Sequence, residues 1–404
     1  MDHLLRDPRS WGLMLAAMLT IMSNATITPA LPGLEAQFAA DPLAPVLTRL
    51  LITAPSLLVA VTAPFAGVLT DRLGRRRPLL AGLVVYALAG TAGLYLQSLE
   101  AILASRLALG LGVAAIMTAQ AALVGDYFEG PDRGRLMGYQ MAATNVGGLI
   151  FVSVAGMLAA SDPRGPFAIY GLAALLLPLL SRILPEPVRV APGGGHGGGH
   201  GGGHADAAEP GWQMTVAVMA VAAGLTFVIF YAVPTQLPYH LRNLGMADPR
   251  NAGTVMAAMM FAAAIMSVVS GWIRPWLGRI GTPVSGYLTL AAGFAALAWG
   301  EGLGVEMAGA ALIGAGLGLC MPTFITTALN VTPARHRGLV SGLITSAIFL
   351  GQFLSPLAST PLVTHLGYSG AFRAGAAGFV VLALALFLIL RRQRPYVQSP
   401  LRGR

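Results

Sequence analysis

Few side chains in this chain have types and spacing suited to chemistry. The most conspicuous are His196, His200 and His204, set four apart in the stretch GGGHGGGHGGGH at residues 193–204. Imidazole ligates borderline divalent metals, and a spacing of four aligns side chains on one helix face. Nine glycines in twelve residues oppose that helix, at up to about 1 kcal/mol each. No acid or cysteine lies inside the repeat, so it reads as a flexible joint whose histidines are weak metal candidates. Material for proton transfer is equally sparse. The 16 Asp and Glu fall in connecting segments or at the ends of apolar runs, where Glu35 and Asp126, with His240, are the groups able to carry a proton. Arg106 is the only charged residue well inside an apolar run. No Ser/His/Asp grouping shares a context and no phosphate-cradling GxxxxGK[ST] loop occurs, so neither an enzyme nor a cofactor is expected. The lone cysteine, Cys320, lies inside an apolar run and reads as an inert buried thiol.

The elements that must position these residues are membrane helices. Of 404 residues 55% are hydrophobic and 10% charged, whereas a soluble domain carries about 25% charged residues. The partner of such a surface is the lipid bilayer. A hydrocarbon core of about 30 Å needs roughly 20 apolar residues per helix. The apolar runs predict twelve spans, near 11–32, 48–69, 78–97, 99–124, 135–159, 166–184, 212–233, 251–272, 282–299, 305–329, 338–362 and 369–390. The fold class is thus all-α and polytopic. All 25 basic residues are arginine; with the N-terminus inside, 19 fall in inside segments and 5 in outside ones. That asymmetry places both termini in the cytoplasm and accounts for the net charge of +9 without nucleic acid. An arginine within a span costs at least ~2.5 kcal/mol, so Arg106 is expected to face a cavity or partner, or else to snorkel to the outer interface.

The sequence repeats itself. GVLTDRLGR at 67–75 and GWIRPWLGR at 271–279 share Gly, Leu, Gly and Arg at an offset of 204. The loop RGRLMG from Arg133 returns as RGLVSG from Arg337, and Gly110 and Gly112 map onto Gly314 and Gly316, all by the same shift. This predicts two six-helix bundles in parallel orientation, residues 1–184 and 212–390. A cytoplasmic Gly/His linker (185–211) joins them and a basic tail (391–404) follows. Such a pair of bundles is a transporter architecture, with substrate bound between the halves and access alternating.

The motifs resemble a known family. GVLTDRLGRRRP (67–78) is similar to the loop signature between helices two and three of the major facilitator superfamily. RLALGLGVAA (106–115) resembles its helix-four motif, with Leu109 in place of the usual glutamine. FYAVPTQLP (230–238) and FLGQFLSPL (349–357) resemble segments of the bacterial drug and metabolite efflux branch. The resemblance implies a conformational latch of Gly67, Asp71, Arg72, Gly74 and Arg75. In it Asp71 meets a helix N-terminus of the other half and Arg75 pairs with Asp126. It implies a proton-coupling role for Arg106, through the proton affinity of a nearby acid. It also implies a cavity lined by Asn24, Gln120, Asn145, Tyr231, Gln236, Thr323 and Gln352, suited to a neutral amphipathic small molecule. Two departures bear on coupling. Asn24 stands where many proton-driven exporters carry a carboxylate, and Val152-Ser153 stands where the exporter signature has Gly-Pro. The expected function is alternating-access export of a small organic compound across a bacterial-type inner membrane, driven by protons. A proton-coupled importer, a metal exporter using the Gly/His loop and a non-transporting receptor are the alternatives. A monomer is compatible with the pattern, which leaves substrate, coupling ion, direction and oligomeric state open.

Overall fold

The computed structural model describes residues 3–187, 212–333 and 336–392; of residues 63–64, 66–72, 131, 279 and 392 only the backbone is described. His196, His200 and His204 lie outside the described residues, as do the side chains of Asp71 and Arg72 and the surroundings of Gly67. Among the described residues every regular element is helical. In chain order these are α1 (Pro8–Ala25), α2 (Leu31–Gln37), α3 (Ala44–Leu73), α4 (Arg76–Thr91), α5 (Leu99–Tyr127) and α6 (Gly130–Ser161). They continue as α7 (Leu172–Ile183), α8 (Trp212–Phe230), α9 (Ala232–Asn243), α10 (Pro249–Trp299), α11 (Leu303–Val331) and α12 (Arg337–Arg392). Among the described residues, eleven stretches are long and apolar enough to cross a membrane. The sequence predicts one more, because it places a loop at 363–368. The structure instead winds those residues into α12, interrupted only at Gly367, where φ is +70°. α10 contains a similar break at Gly278, φ +68°.

Local chemistry sets the ends and breaks. Asp7 caps α1, its carboxylate accepting from the Arg9 N–H at 2.8 Å with Pro8 in the first turn. Burial pushes the Asp7 carboxyl up, but its bonds to the Arg9 side chain and backbone outweigh this and hold it below the usual carboxylate value. Ser98 and Asp248 cap α5 and α10 in the same way. Pro29 and Pro32, which lack an N–H, divide α1 from α2 through a 3-10 turn at Thr28–Ala30. The break between α8 and α9 falls at Tyr231, the residue 204 positions after Ile27.

The helices pack as two groups. α3 lies on α5, α4 on α5, and α1 on α6; α10 lies on α11 and α12, and α8 on α12. The groups meet along two seams, α3 with α12 and α6 with α10. The 204-residue shift reappears in the packing. A Cβ on Gly110 would strike the Pro55 carbonyl, and one on Gly314 would strike that of Met259. A Cβ on Gly112 would lie 2.8 Å from the Gly82 carbonyl oxygen, and one on Gly316 would lie 2.7 Å from that of Gly286. Small residues let helix backbones approach closely where lipid offers no hydrophobic drive to pair them.

The groups meet unevenly along their length. Among the described residues, hydrogen bonds between them run from Ala60 and Ser346 toward the end where α2 and α9 finish, which we term the distal end. Gly253 packs there too, 3.0 Å from a Cβ position to the Val152 carbonyl oxygen across the α6–α10 seam. Toward the end where α1 begins, Gly134 and Gly138 of α6 and Gly338 and Gly342 of α12 have nothing within 4 Å of a Cβ position.

These contacts make a paired prediction. Gly314→Val forces the α10–α11 backbones apart, a strain of about 1–3 kcal/mol, and is expected to lower the melting temperature of the purified protein. Gly342→Ala, in open space, is expected to be neutral or to stabilise by up to about 1 kcal/mol. Equal melting temperatures for the two variants would refute the packing account.

Candidate functional site

Where the two groups meet, α1, α3, α12 and the α8–α9 break each supply a polar side chain. Asn24 lies in the last turn of α1, and its Nδ2 donates toward Ser56 Oγ at 3.4 Å, Tyr231 OH at 3.3 Å and Gln352 Oε1 at 3.2 Å. Ser56 Oγ donates to Gln352 Oε1 at 2.7 Å, and Ser23 Oγ donates to Asn24 Oδ1 at 3.3 Å. An amide nitrogen has two hydrogens, so three acceptors at these lengths are shared and loosely held. The hydroxyls of Thr53 on α3 and Ser355 on α12, one turn from Ser56 and Gln352, are buried without partners. The Phe227, Phe230 and Tyr231 rings pack with centroids 5.6–6.1 Å apart and form an apolar wall. Such a site can exchange amide and hydroxyl bonds with a ligand that is otherwise apolar.

A denser layer closes the distal side. Arg49 on α3 donates from Nε to Gln236 Oε1 of α9 at 3.1 Å and from Nη1 to Glu35 Oε2 of α2 at 3.0 Å. Its guanidinium lies 4.0 Å from the centroid of the Tyr239 ring. Tyr239 OH shares a hydrogen bond with Thr48 at 3.1 Å, and Gln236 Nε2 donates to Ser359 Oγ at 3.0 Å. Arg49 is 6% exposed, so this is a buried seal and not a surface pair.

Arg106 sits beside the polar cluster. Its Nη2 donates to the Ser23 carbonyl at 2.5 Å and to Tyr170 OH at 2.7 Å, and its Nε donates to the Leu51 carbonyl at 3.2 Å. It is 0% exposed, which removes the option of snorkelling to the interface. The partners the structure gives it are carbonyls and aromatic groups, so the expected nearby acid is not among them. Gln120 presents a buried Oε1 without a partner, and Asn145 bonds back to the Met141 carbonyl of its own helix at 3.0 Å. Gln120, Asn145 and Thr323 are not brought into the Asn24 cluster.

At the end where α1 begins, Arg75 Nε donates to Asp126 Oδ2 at 2.8 Å. Gly74 has φ +90°, and a Cβ there would lie 2.5 Å from Glu186 Oε1. Glu186, in the segment after α7, accepts from the Arg75 N–H at 2.7 Å and the Arg76 N–H at 2.9 Å. Its carboxylate thus covers the positive N-terminus of α4. Sequence reasoning passed over Glu186, Ser56, Arg49 and Glu306. Arg49 carries a signal, since it falls inside the expected span 48–69. Glu186 had none, because it lies 110 residues from the Arg76 amide it binds.

Glu186→Gln removes the charge from this cap and is expected to cost about 1 kcal/mol, read as a fall of a few degrees in melting temperature. Gly74→Ala adds positive-φ strain and is expected to cost more. A Glu186→Gln protein as stable as wild type would remove the cap from the account.

Comparison with known proteins then places the chain. The family model described as Major Facilitator Superfamily matches residues 13–356 and 301–404. The multidrug efflux protein YfmO of Bacillus subtilis is 26% identical over 397 residues, covering 96% of this chain and 95% of that one. The bacillibactin exporter of the same organism is 25% identical, covering 92% and 94%. The inward-open structure of the xylose transporter XylE from E. coli superposes with a TM-score of 0.74 at 16% identity, covering 96% of this chain and 98% of that one. The chain belongs to the major facilitator superfamily and is a multi-pass membrane transporter, not an enzyme.

Proposed function

We propose that the chain is an inner-membrane exporter of small amphipathic organic compounds, working by alternating access and driven by protons. The observation that carries this reading is the Asn24–Ser56–Tyr231–Gln352 cluster, in which one loosely bonded amide joins both helix groups. A ligand that replaces those bonds changes the contact between the groups, which is how a substrate biases two conformations. The multidrug and bacillibactin exporters among the relatives favour efflux over import.

In this reading α10 and α12 each cross twice, giving twelve crossings. A continuous helix of 55 residues would extend about 80 Å at 1.5 Å per residue, far beyond a bilayer core, and Gly367 supplies the turn. Residues 1–184 and 212–390 form the two halves, 185–211 the cytoplasmic linker and 391–404 the tail. Both termini are cytoplasmic, so the distal end faces outward. Substrate enters from the end where α1 begins, reaches Asn24 and leaves when the Arg49 seal opens. Gly67, Asp71, Arg72, Gly74, Arg75 and Asp126 act as the latch of the outward-open state, and Asn24, Tyr231, Gln236 and Gln352 contact substrate. A single chain suffices for this cycle.

Everted vesicles containing the protein, energised by respiration, are expected to accumulate the amphipathic dye Hoechst 33342 and to lose it on addition of an uncoupler. Asn24→Leu leaves Ser56 and Gln352 short of a partner, at about 1–3 kcal/mol, and is expected to cut kcat/KM by about 5- to 100-fold. Asp71→Asn is expected to slow transport and shift cysteine accessibility toward one side. Wild-type kinetics in both variants would sink the assignment of these residues. Deleting residues 193–204 is expected to leave metal tolerance unchanged; a fall in tolerance would favour a metal exporter.

A further inference from the structure

Beside the Arg49 seal lies a second pair. His240, one turn after Gln236 on α9, places Nε2 at 3.2 Å from Glu306 Oε1 at the start of α11. The two side chains are 2% and 0% exposed. His240 Nδ1 and Glu306 Oε2 are both buried with no hydrogen-bond partner. Aromatic groups enclose them: the Phe372 ring centroid lies 5.1 Å from that of His240, edge-on, and the Tyr368 ring 5.9 Å away. A buried polar atom left unsatisfied costs about 1–3 kcal/mol, and more if charged. An apolar pair of the same volume would pack here without that cost.

We propose that the His240–Glu306 pair binds the coupling proton, and that loading it allows the distal seal to close. This rests on the proton-driven transport reading above and names its titrating site. With neutral imidazole donating from Nε2 to carboxylate, the pair carries net charge −1 and its two vacant atoms are acceptors. One proton from outside water, taken by His240 Nδ1 or Glu306 Oε2, brings the net charge to zero. A net charge is far more costly to bury than a neutralised pair, so the aromatic pocket closes on the loaded form. Export follows in order: the proton binds as substrate leaves outward, the seal shuts, and the proton departs inward when the next substrate arrives.

The surrounding groups leave this pair as the titrating element. From α12 comes Tyr368, whose ring lies against that of His240. From α3 comes Arg49 and from α2 Glu35, already paired to each other at 3.0 Å. On α9 itself Tyr239 faces Arg49, and Arg242 is exposed; on α10, Asp248 and Arg250 lie on the exposed rim. Gln236 and His240 are four residues apart on one helix face, so a displacement of His240 is felt at the Arg49–Gln236 bond.

The test uses the full chain in lipid nanodiscs, with Cys320→Ala and spin labels on Ala36→Cys and Ala247→Cys, exposed positions lining one cleft at the distal end. Pulsed electron–electron distances are read from pH 5.5 to 8.5. Without Glu306 or His240 substitutions, the closed-to-open ratio is expected to fall up to about tenfold per pH unit, the slope for one linked proton. Glu306→Gln, neutral at every pH, is expected to stay closed throughout, and His240→Gln to move the midpoint by about one pH unit or more. Should Glu306→Gln fail to fold, His240→Gln decides. A wild-type midpoint in either variant, or a parent distance indifferent to pH, overturns the proposal. Hoechst 33342 flux separates it from the transport reading. No flux with a pH-dependent distance governed by this pair sinks the transport reading alone; flux with a pH-blind distance sinks the proton site alone.

Discussion

The guanidinium of Arg106 is fully buried, and the arrangement around Asn24 follows from the acceptors that its Nε and Nη2 find, while Nη1 is left without a partner. Ser23 belongs to the last turn of α1, whose carbonyls have no partners within the helix. Arg106 Nη2 donates to that carbonyl, and Tyr170 OH, 3.0 Å from it, donates there too. The negative end of the α1 dipole receives a cation, and the cation receives acceptors. Asn24 is the next residue, so its amide is aimed at α3, the α8–α9 break and α12 by a capped helix end. Pro29 and Pro32 make this possible by ending α1 inside the bundle.

The same economy of polar groups limits how strongly the halves adhere. Hydrogen bonds between membrane helices average about 0.6 kcal/mol. Those joining α1 and α3 to α8, α9 and α12 therefore hold the distal end by a few kcal/mol in all. One charge moved through 100 mV supplies about 2.3 kcal/mol. A seal of this strength is comparable to the energy that one charge gains in such a field. Close glycine contacts within each group, such as Gly110 on Pro55 and Gly314 on Met259, keep the groups themselves rigid while the seams move.

The polar layers also divide the labour along the molecular axis. Asn24, Ser56, Tyr231 and Gln352 offer exchangeable bonds at the level of the helix breaks. Arg49, Glu35, Gln236 and Tyr239 seal the space beyond. Arg75, Asp126 and Glu186 bind the loop after α3 to the ends of α5 and α7 at the opposite end. Each layer draws on residues far apart in the chain.

What the sequence determined by itself was everything governed by local composition and periodicity. Apolar runs of helical length, the arginine asymmetry and the 204-residue shift are properties of neighbours along the chain. The loop Gly74-Arg75 and the amides Asn24, Gln236 and Gln352 stood out because polar or glycine residues are conspicuous in an apolar background. Tertiary structure decided which of these amides meet. It set Gln120, Asn145 and Thr323 apart from the cluster, enclosed Arg106 among carbonyls, gave Glu186 to α4 and Glu306 to His240. Those outcomes depend on helix rotation and on which helix lies opposite. Hydrophobic periodicity fixes neither where the surrounding lipid is as apolar as the core.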